Sequence, residues 1–173
     1  MTPFLFSAQE INLANSTSRT NGIVGKNAIV PKYILNNIPS TWSILDFGAG
    51  KDAQHTRMLR NAGFHSVTAH EFGENFKPGF HYENALDYKY NVVFASNVIN
   101  VQSNLTMLRK TLELMKNSTS YFGQIIFNYP DNPRHLGHTT KDVQDFIETF
   151  FSRKVEQVGG TKNAPIWKIK LNG

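Results

Sequence analysis

The chain has no cysteine among its 173 residues. That excludes disulfide staples, thiolate nucleophiles and thiolate zinc sites, and it suits a reducing, cytoplasmic setting. No apolar run approaches the roughly 18 residues of a membrane span, so no membrane partner is expected. The opening MTPFLFSAQE lacks a basic n-region and a long apolar core, and it does not read as a signal peptide. There are no internal repeats and no low-complexity tracts. Lysine and arginine never run beyond pairs. The six histidines show no ligand spacing with a matching carboxylate. No metal is expected, and the histidines read as solvated loop residues.

What remains is the composition of a folded domain. Hydrophobic residues make up 40% and aromatics 12%, enough for one proper core at this length. The formal net charge of +5 admits a nucleic acid or a phosphorylated molecule as partner, or serves solubility alone.

Residues 1–30 are polar and read as an irregular, slightly basic arm or lid; 31–173 read as a single domain. PKYILNNI opens that domain as a short helix with Pro31 in its first turn. Strands are expected at 43–47, 66–71, 91–96 and 123–128, with a doubtful one at 80–82. Helices are expected at 52–62, 104–116 and 140–151, where apolar residues recur at helical spacing. VEQVGG and PIWKIKL end the chain as a hairpin around GGTKNA.

Alternating strands and helices predict an α/β fold, a Rossmann-like, mostly parallel sheet. Two connections, 72–79 and 83–90, are too short for a helical crossover, which needs roughly 10–12 residues. The sheet is therefore expected to be trimmed around its second and third strands. In such sheets ligands bind beyond the carboxyl ends of the strands. Those ends carry Asp46-Phe47-Gly48, Glu71-Phe72-Gly73, Ser96-Asn97 and Asn128-Tyr129-Pro130.

SILDFGAGKDAQHT holds the sharpest signal. Gly48-Ala49-Gly50-Lys51-Asp52-Ala53 fits the glycine pattern of nucleotide turns, and Glu71 stands at the end of the next strand, placed to accept from a ribose diol. Asp46 puts a carboxylate beside the turn. It would repel a pyrophosphate and welcome a sulfonium or an ammonium. Asp52 is expected to cap the following helix.

Ile44-Leu45-Asp46-Phe47-Gly48-Ala49-Gly50 resembles motif I of the class I S-adenosylmethionine-dependent methyltransferases. Glu71 matches the family's ribose acid, and the terminal hairpin matches its antiparallel last strand. The resemblance covers about 31–173, and in style the chain is similar to small phage-encoded methyltransferases. It implies S-adenosylmethionine as cofactor and methyl transfer as activity. A non-catalytic module of the same fold, and a dinucleotide oxidoreductase should Asp46 point away from the turn, are the rival readings. The resemblance implies Asp46, Gly48, Gly50 and Glu71 as cofactor-binding residues. Asn84 and Ala85 are expected to stand in for the adenine contact, and Asn97 to line the site. The acceptor side is expected to use Asn97 and Tyr129 as catalytic candidates, with Asp131 nearby.

Ser96-Asn97-Val98-Ile99 lacks the prolines of the DNA amino-methyltransferase motif, and the missing cysteine excludes C5-pyrimidine chemistry. The acceptor is left open. The hairpin turn at 159–165, with Trp167, Arg134, His135, Arg19 and Lys26, is a candidate acceptor floor, and 18–27 a candidate lid.

Overall fold

The computed structural model describes residues 6–21, 28–132 and 134–173, with side chains left aside over 16–21. Six strands form one sheet: β1 (Ile44–Phe47), β2 (Val67–His70), β3 (Tyr90–Ala95), β4 (Thr119–Asn128), β5 (Glu156–Gly160) and β6 (Pro165–Lys170). Their order is β2-β1-β3-β4-β6-β5. The pairs β1–β2, β1–β3 and β3–β4 are parallel, while β6 is antiparallel to both β4 and β5. The fold is thus Rossmann-like, mostly parallel, with a C-terminal antiparallel hairpin. The order reverses at β1, so the loops after β1 and β3 flank the switch point where such sheets bind ligands.

The helices are α1 (Ala8–Asn21), α2 (Ile29–Asn37), α3 (Gln54–Asn61), α4 (Leu105–Asn117) and α5 (Thr140–Phe151). Strand residues alternate between two helical layers, as a sheet covered on both faces requires. Leu45, Val93, Ile125 and Phe127 face α4 and α5 through Leu108, Leu112, Val143 and Ile147. Ile44, Val92, Phe94 and Ile126 face α2 and α3 through Val30, Ile34 and Leu59. Side-chain caps fix two helix starts: Asn104 accepts from Met107 N–H at the start of α4, and Thr139 from Asp142 N–H at α5.

The trimmed sheet is real. Between β2 and β3 stand only two single 3₁₀ turns, Gly73–Asn75 and Ala85–Asp87. The doubtful strand at 80–82 is reduced to an isolated bridge between Pro78 and His81, beside a bond from Tyr82 N–H to Ala69 O (3.0 Å).

Three expectations need correction. The N-terminal arm is not irregular over 8–21, where it forms α1. Polar spacing hid this helix, because its ordering comes from contacts with the β2 rim and not from a broad apolar stripe of its own. Asp52 does not cap α3; it is exposed and pairs with Lys77 at 3.1 Å. The helix starts at Ala53 in the left-handed region (φ 46°), with no side-chain cap from that residue. The histidines are not all solvated: His55, His70 and His81 are buried. Among the described residues no group of histidines and carboxylates could hold a metal, and no helix is long and apolar enough to cross a membrane.

Candidate functional site

The site is built at the carboxyl ends of β1, β2 and β3. Phe47 and Gly48 leave β1, Glu71 and Phe72 leave β2, and Asn97 and Val98 leave β3. All six border one cavity, with about 510 Å3 of empty space including its open mouth. Val101, Gln102, Met107 and Thr111 close it on the α4 side. Ile11, Ala14 and Asn15 close it from α1, with Phe6 just ahead of that helix.

The glycine turn is held by carboxylates. Gly48 has φ +69° and Gly50 φ +80°. A Cβ on Gly48 would lie 2.9 Å from Val98 Cγ2, so only glycine lets these two loops meet at the cavity. Glu71 accepts from Gly50 N–H through Oε2 (2.7 Å) and from Phe72 N–H through Oε1 (2.9 Å). A carboxylate offers about four acceptor positions, so two remain for a ligand's hydroxyls. At the other end of the same residue, His81 donates from Nε2 to Gly50 O (2.7 Å). Its Nδ1 accepts from Lys77 N–H (2.8 Å), which fixes the proton on Nε2. Gly50 is therefore clamped from both ends.

Asp46 is buried and does not border the cavity. It sits against the first turn of α3, where Thr56 donates to it from its hydroxyl (2.7 Å). A carboxylate does stand at the first turn of α3, supplied from β1 and not by Asp52. Burial pushes Asp46 up to about 7, against hydrogen bonding from Thr56, which favours its charged form. Burial likewise pushes Glu71 up to about 7, against the bonds from Phe72 and Gly50. Two carboxyls, Glu71 at the cavity edge and Asp46 buried beneath the turn, are thus poised to gain or lose charge near neutrality.

Asn97 is drawn into the left-handed region (φ 59°) by a reciprocal pair with Asn128. Its N–H donates to Asn128 Oδ1 (2.8 Å), and Asn128 Nδ2 donates to its Oδ1 (2.8 Å). This pair ties the ends of β3 and β4 together and presents Asn97 to the cavity.

The other predicted residues lie elsewhere. Asn84 is exposed, and Ala85 is packed in the core with its carbonyl accepting from Tyr90 Oη (2.8 Å). Tyr129 is buried; its hydroxyl donates to His138 O (2.6 Å), and the Arg134 guanidinium covers its ring at 3.9 Å. Trp167 stacks on Tyr129 inside the core (6.3 Å, 10°). Arg134 donates to Pro130 O, Thr140 Oγ1 and Asn163 O, pinning the hairpin turn to the rim. Asp131 and His135 are exposed. Lys26, the side chain of Arg19 and most of the 18–27 segment lie outside the described residues.

Sequence reasoning missed His81, the residues of α1 and the α4 side of the cavity. His81 carried no motif, and α1 carried no amphipathic signal. Met107 and Thr111 were legible only as members of a helix.

No family model matches the sequence, and no curated protein matches it. Solved structures do. The 1,6-didemethyltoxoflavin-N1-methyltransferase of Burkholderia thailandensis, with bound 1,6-didemethyltoxoflavin and S-adenosylhomocysteine, is similar over 100% of this chain and 93% of its own, at 10% identity and TM-score 0.67. A SAM-dependent methyltransferase of Bacteroides fragilis, in complex with S-adenosylhomocysteine, is similar over 92% of this chain and 94% of its own, at 12% identity and TM-score 0.63. A SAM-dependent methyltransferase of Aquifex aeolicus covers 96% of this chain and 99% of its own, at 15% identity and TM-score 0.58. The chain thus has the fold that these S-adenosylmethionine-dependent methyltransferases share.

Proposed function

We propose that the chain is an S-adenosylmethionine-dependent methyltransferase. One observation carries this reading: the anion-attracting groups of the glycine turn are already taken by the protein's own carboxylates. Asp46 stands against the first turn of α3, accepting from the Thr56 hydroxyl, and Glu71 holds the Gly50 N–H. A pyrophosphate at this helix start would have to displace both. The same two charges favour a ligand that is cationic and free of phosphate. A dinucleotide is thereby disfavoured even though Asp46 lies beneath the turn and outside the cavity.

The residues present fit the cofactor. Glu71 retains acceptor positions for a ribose diol, Gly48 allows close backbone approach, and the buried Asp46 charge sits within the turn's field. S-adenosylmethionine, when bound, supplies an electrophilic methyl group on a sulfonium. The chain's part is to orient it, exclude water and place the acceptor in line. Tyr129 has its hydroxyl bonded inside the core, so the reading asks no proton transfer of it. It favours an acceptor whose nucleophilic atom carries a lone pair without needing a base. The acceptor is either a small molecule or a nucleic acid, the latter favoured only by the net charge of +5.

Calorimetry with S-adenosylmethionine and S-adenosylhomocysteine tests binding, and transfer of a labelled methyl to candidate acceptors tests turnover. Asp46→Asn keeps an acceptor for Thr56 and removes the charge. It is expected to weaken S-adenosylmethionine, and the uncharged-sulfur analogue less. Equal affinity of the wild type and Asp46→Asn for S-adenosylmethionine would remove the electrostatic argument. Binding with no transfer to any acceptor would favour a non-catalytic module.

A further inference from the structure

We infer that the chain carries a second binding surface, at the end of the sheet opposite the cavity, which takes a single-stranded nucleic acid: the exposed Tyr121–Phe122 pair stacks its bases, and the cationic recess beside it takes its phosphates. The inference does not depend on methyl transfer and gives the strand no role as acceptor.

β4 starts at this end with a bulge. Tyr90 pairs with Thr119 and Val92 with Gln124, so β4 carries 120–123 where β3 carries only Asn91. Extra residues in one strand bend it out of the ladder. Gly123 makes the bend possible, since a Cβ there would lie 2.7 Å from Thr119 Cγ2 and 2.9 Å from Asn91 O. The chain just past β6 braces the bulge. Asn172 Nδ2 donates to Tyr121 O (2.7 Å), and Leu171 N–H donates to Gly123 O (3.1 Å).

The braced bulge presents two large aromatic side chains to solvent. Tyr121 is 68% exposed and Phe122 80%. Their rings meet edge to face at 4.8 Å and 87°. Core packing does not account for rings this exposed, and each keeps open surface on which a planar base can stack.

A recess with about 530 Å3 of empty space, its open mouth included, lies alongside. Arg153 and Lys154 border it from the link between α5 and β5, and Lys168 and Lys170 from β6. Glu156 is the one acidic side chain on its lining. Lys168 pairs with Glu156 (3.4 Å) and Lys154 with Glu148 (3.5 Å). Among the described residues no ion pair engages Arg153 or Lys170. Cations gathered round one recess repel one another, and a bound anion relieves that repulsion.

Strand register joins the rings to the recess. Lys170 lines the recess and pairs with Gln124, two residues past Phe122. None of these residues borders the cofactor cavity, which lies beyond the other end of β4. Bases and phosphates alternate along a single strand, and open rings next to a cationic recess match that alternation. A duplex hides the faces of its bases from such rings. A flat anionic membrane would meet the projecting rings and leave the recess unfilled.

The test is fluorescence anisotropy of labelled oligothymidylate and oligouridylate, each of about 20 nucleotides, titrated with the full chain at about 50 mM salt. The wild type is expected to bind, and the tighter probe identifies DNA or RNA as the source. Tyr121→Ser/Phe122→Ser is expected to weaken binding at least about tenfold with the salt dependence kept. Arg153→Gln/Lys170→Gln is expected to weaken it and to flatten the logarithmic salt slope by about one. Arg109→Gln/Lys141→Gln removes the same charge from side chains outside the recess and is expected to stay within about threefold. Thermal melting shows whether each variant keeps its core. Should the double aromatic variant melt early, Phe122→Ser alone, at the more exposed ring, carries that arm. No binding by the wild type, an unaffected aromatic variant, or an equal loss in Arg109→Gln/Lys141→Gln overturns the inference. Binding to phosphatidylserine vesicles that the oligonucleotides do not displace also overturns it. The expected pattern in a chain without affinity for S-adenosylhomocysteine leaves the inference standing and removes the methyl-donor reading.

Discussion

His70 shows what the sheet does to a single residue. It ends β2, stacks on Phe47 (5.0 Å, 29°) and meets Phe72 edge-on (4.3 Å, 85°). Its Nδ1 is buried with no hydrogen-bond partner. Burial, helped by nearby His81, pushes its pKa down to about 3. The neutral ring is therefore the folded form. Its contribution to stability is fully present above the ordinary value of 6.5 and is lost as the pH falls toward 3. At pH 5 the loss is on the order of 2 kcal/mol. His70→Phe cannot titrate, and its urea midpoint is expected to fall less between pH 7.5 and pH 5 than the wild type's. His55, pushed down to about 4 by burial, keeps some acid sensitivity in both proteins. An unchanged pH slope would show that His70 is protonated in the fold.

Glu71 gives the opposite sign in binding. Its carboxyl, raised to about 7, must be ionised to accept from a diol. Ligand affinity is expected to be full above pH 7 and to fall up to about tenfold per unit below it. Titrations of S-adenosylhomocysteine across pH 5.5 to 8.5 check this, and Glu71→Gln should flatten the profile at low affinity.

At the scale of elements, the helices separate into those written in the sequence and those made by their surroundings. α5 was legible at 140–151 and is observed as Thr140–Phe151, because Val143, Phe146, Ile147 and Phe150 mark one face and Thr139 caps it. α4 was equally plain. α1 was not, since its contacts with Phe72 and Gly73 join residues far apart in the chain. The start of α3 was misread for the same reason: the carboxylate at its first turn is Asp46 from β1, bonded by the Thr56 hydroxyl across the turn.

The hairpin turn is a further case. Its strands were legible, but its attachment is made by Arg134, which reaches three acceptors on separate segments. Arg134→Met is expected to cost on the order of 1–2 kcal/mol and to speed amide exchange at Thr161 and Ala164 in the turn. Unaltered exchange there would show that the turn holds itself through the bonds between Thr161 and Ala164.

At the scale of the molecule, one sheet divides two apolar layers, and each strand serves both. Ile125 and Phe127 face one layer while Ile126 faces the other. Loss of either layer uncovers the same strands, so the core is expected to unfold in one transition. Trp167 is buried in one layer and Trp42 is 38% exposed at the start of the sheet. Urea curves followed by tryptophan fluorescence and by far-ultraviolet circular dichroism should coincide. Separate midpoints would mean that the two layers fold apart.

The sequence by itself determined the α/β class, the trimmed second and third crossovers, the terminal hairpin and the glycine turn with its two acids. Each of these is local: periodicity, spacing and connection length act within a few residues. Only the tertiary structure decided that Asp46 faces the start of α3, that His81 and Glu71 clamp Gly50 from opposite ends, and that α1 walls the cavity. Those depend on which strand ends the sheet brings together. The β1–β2–β3 register sets that, and a hydrogen bond between residues this far apart in the chain leaves no periodic trace in the sequence.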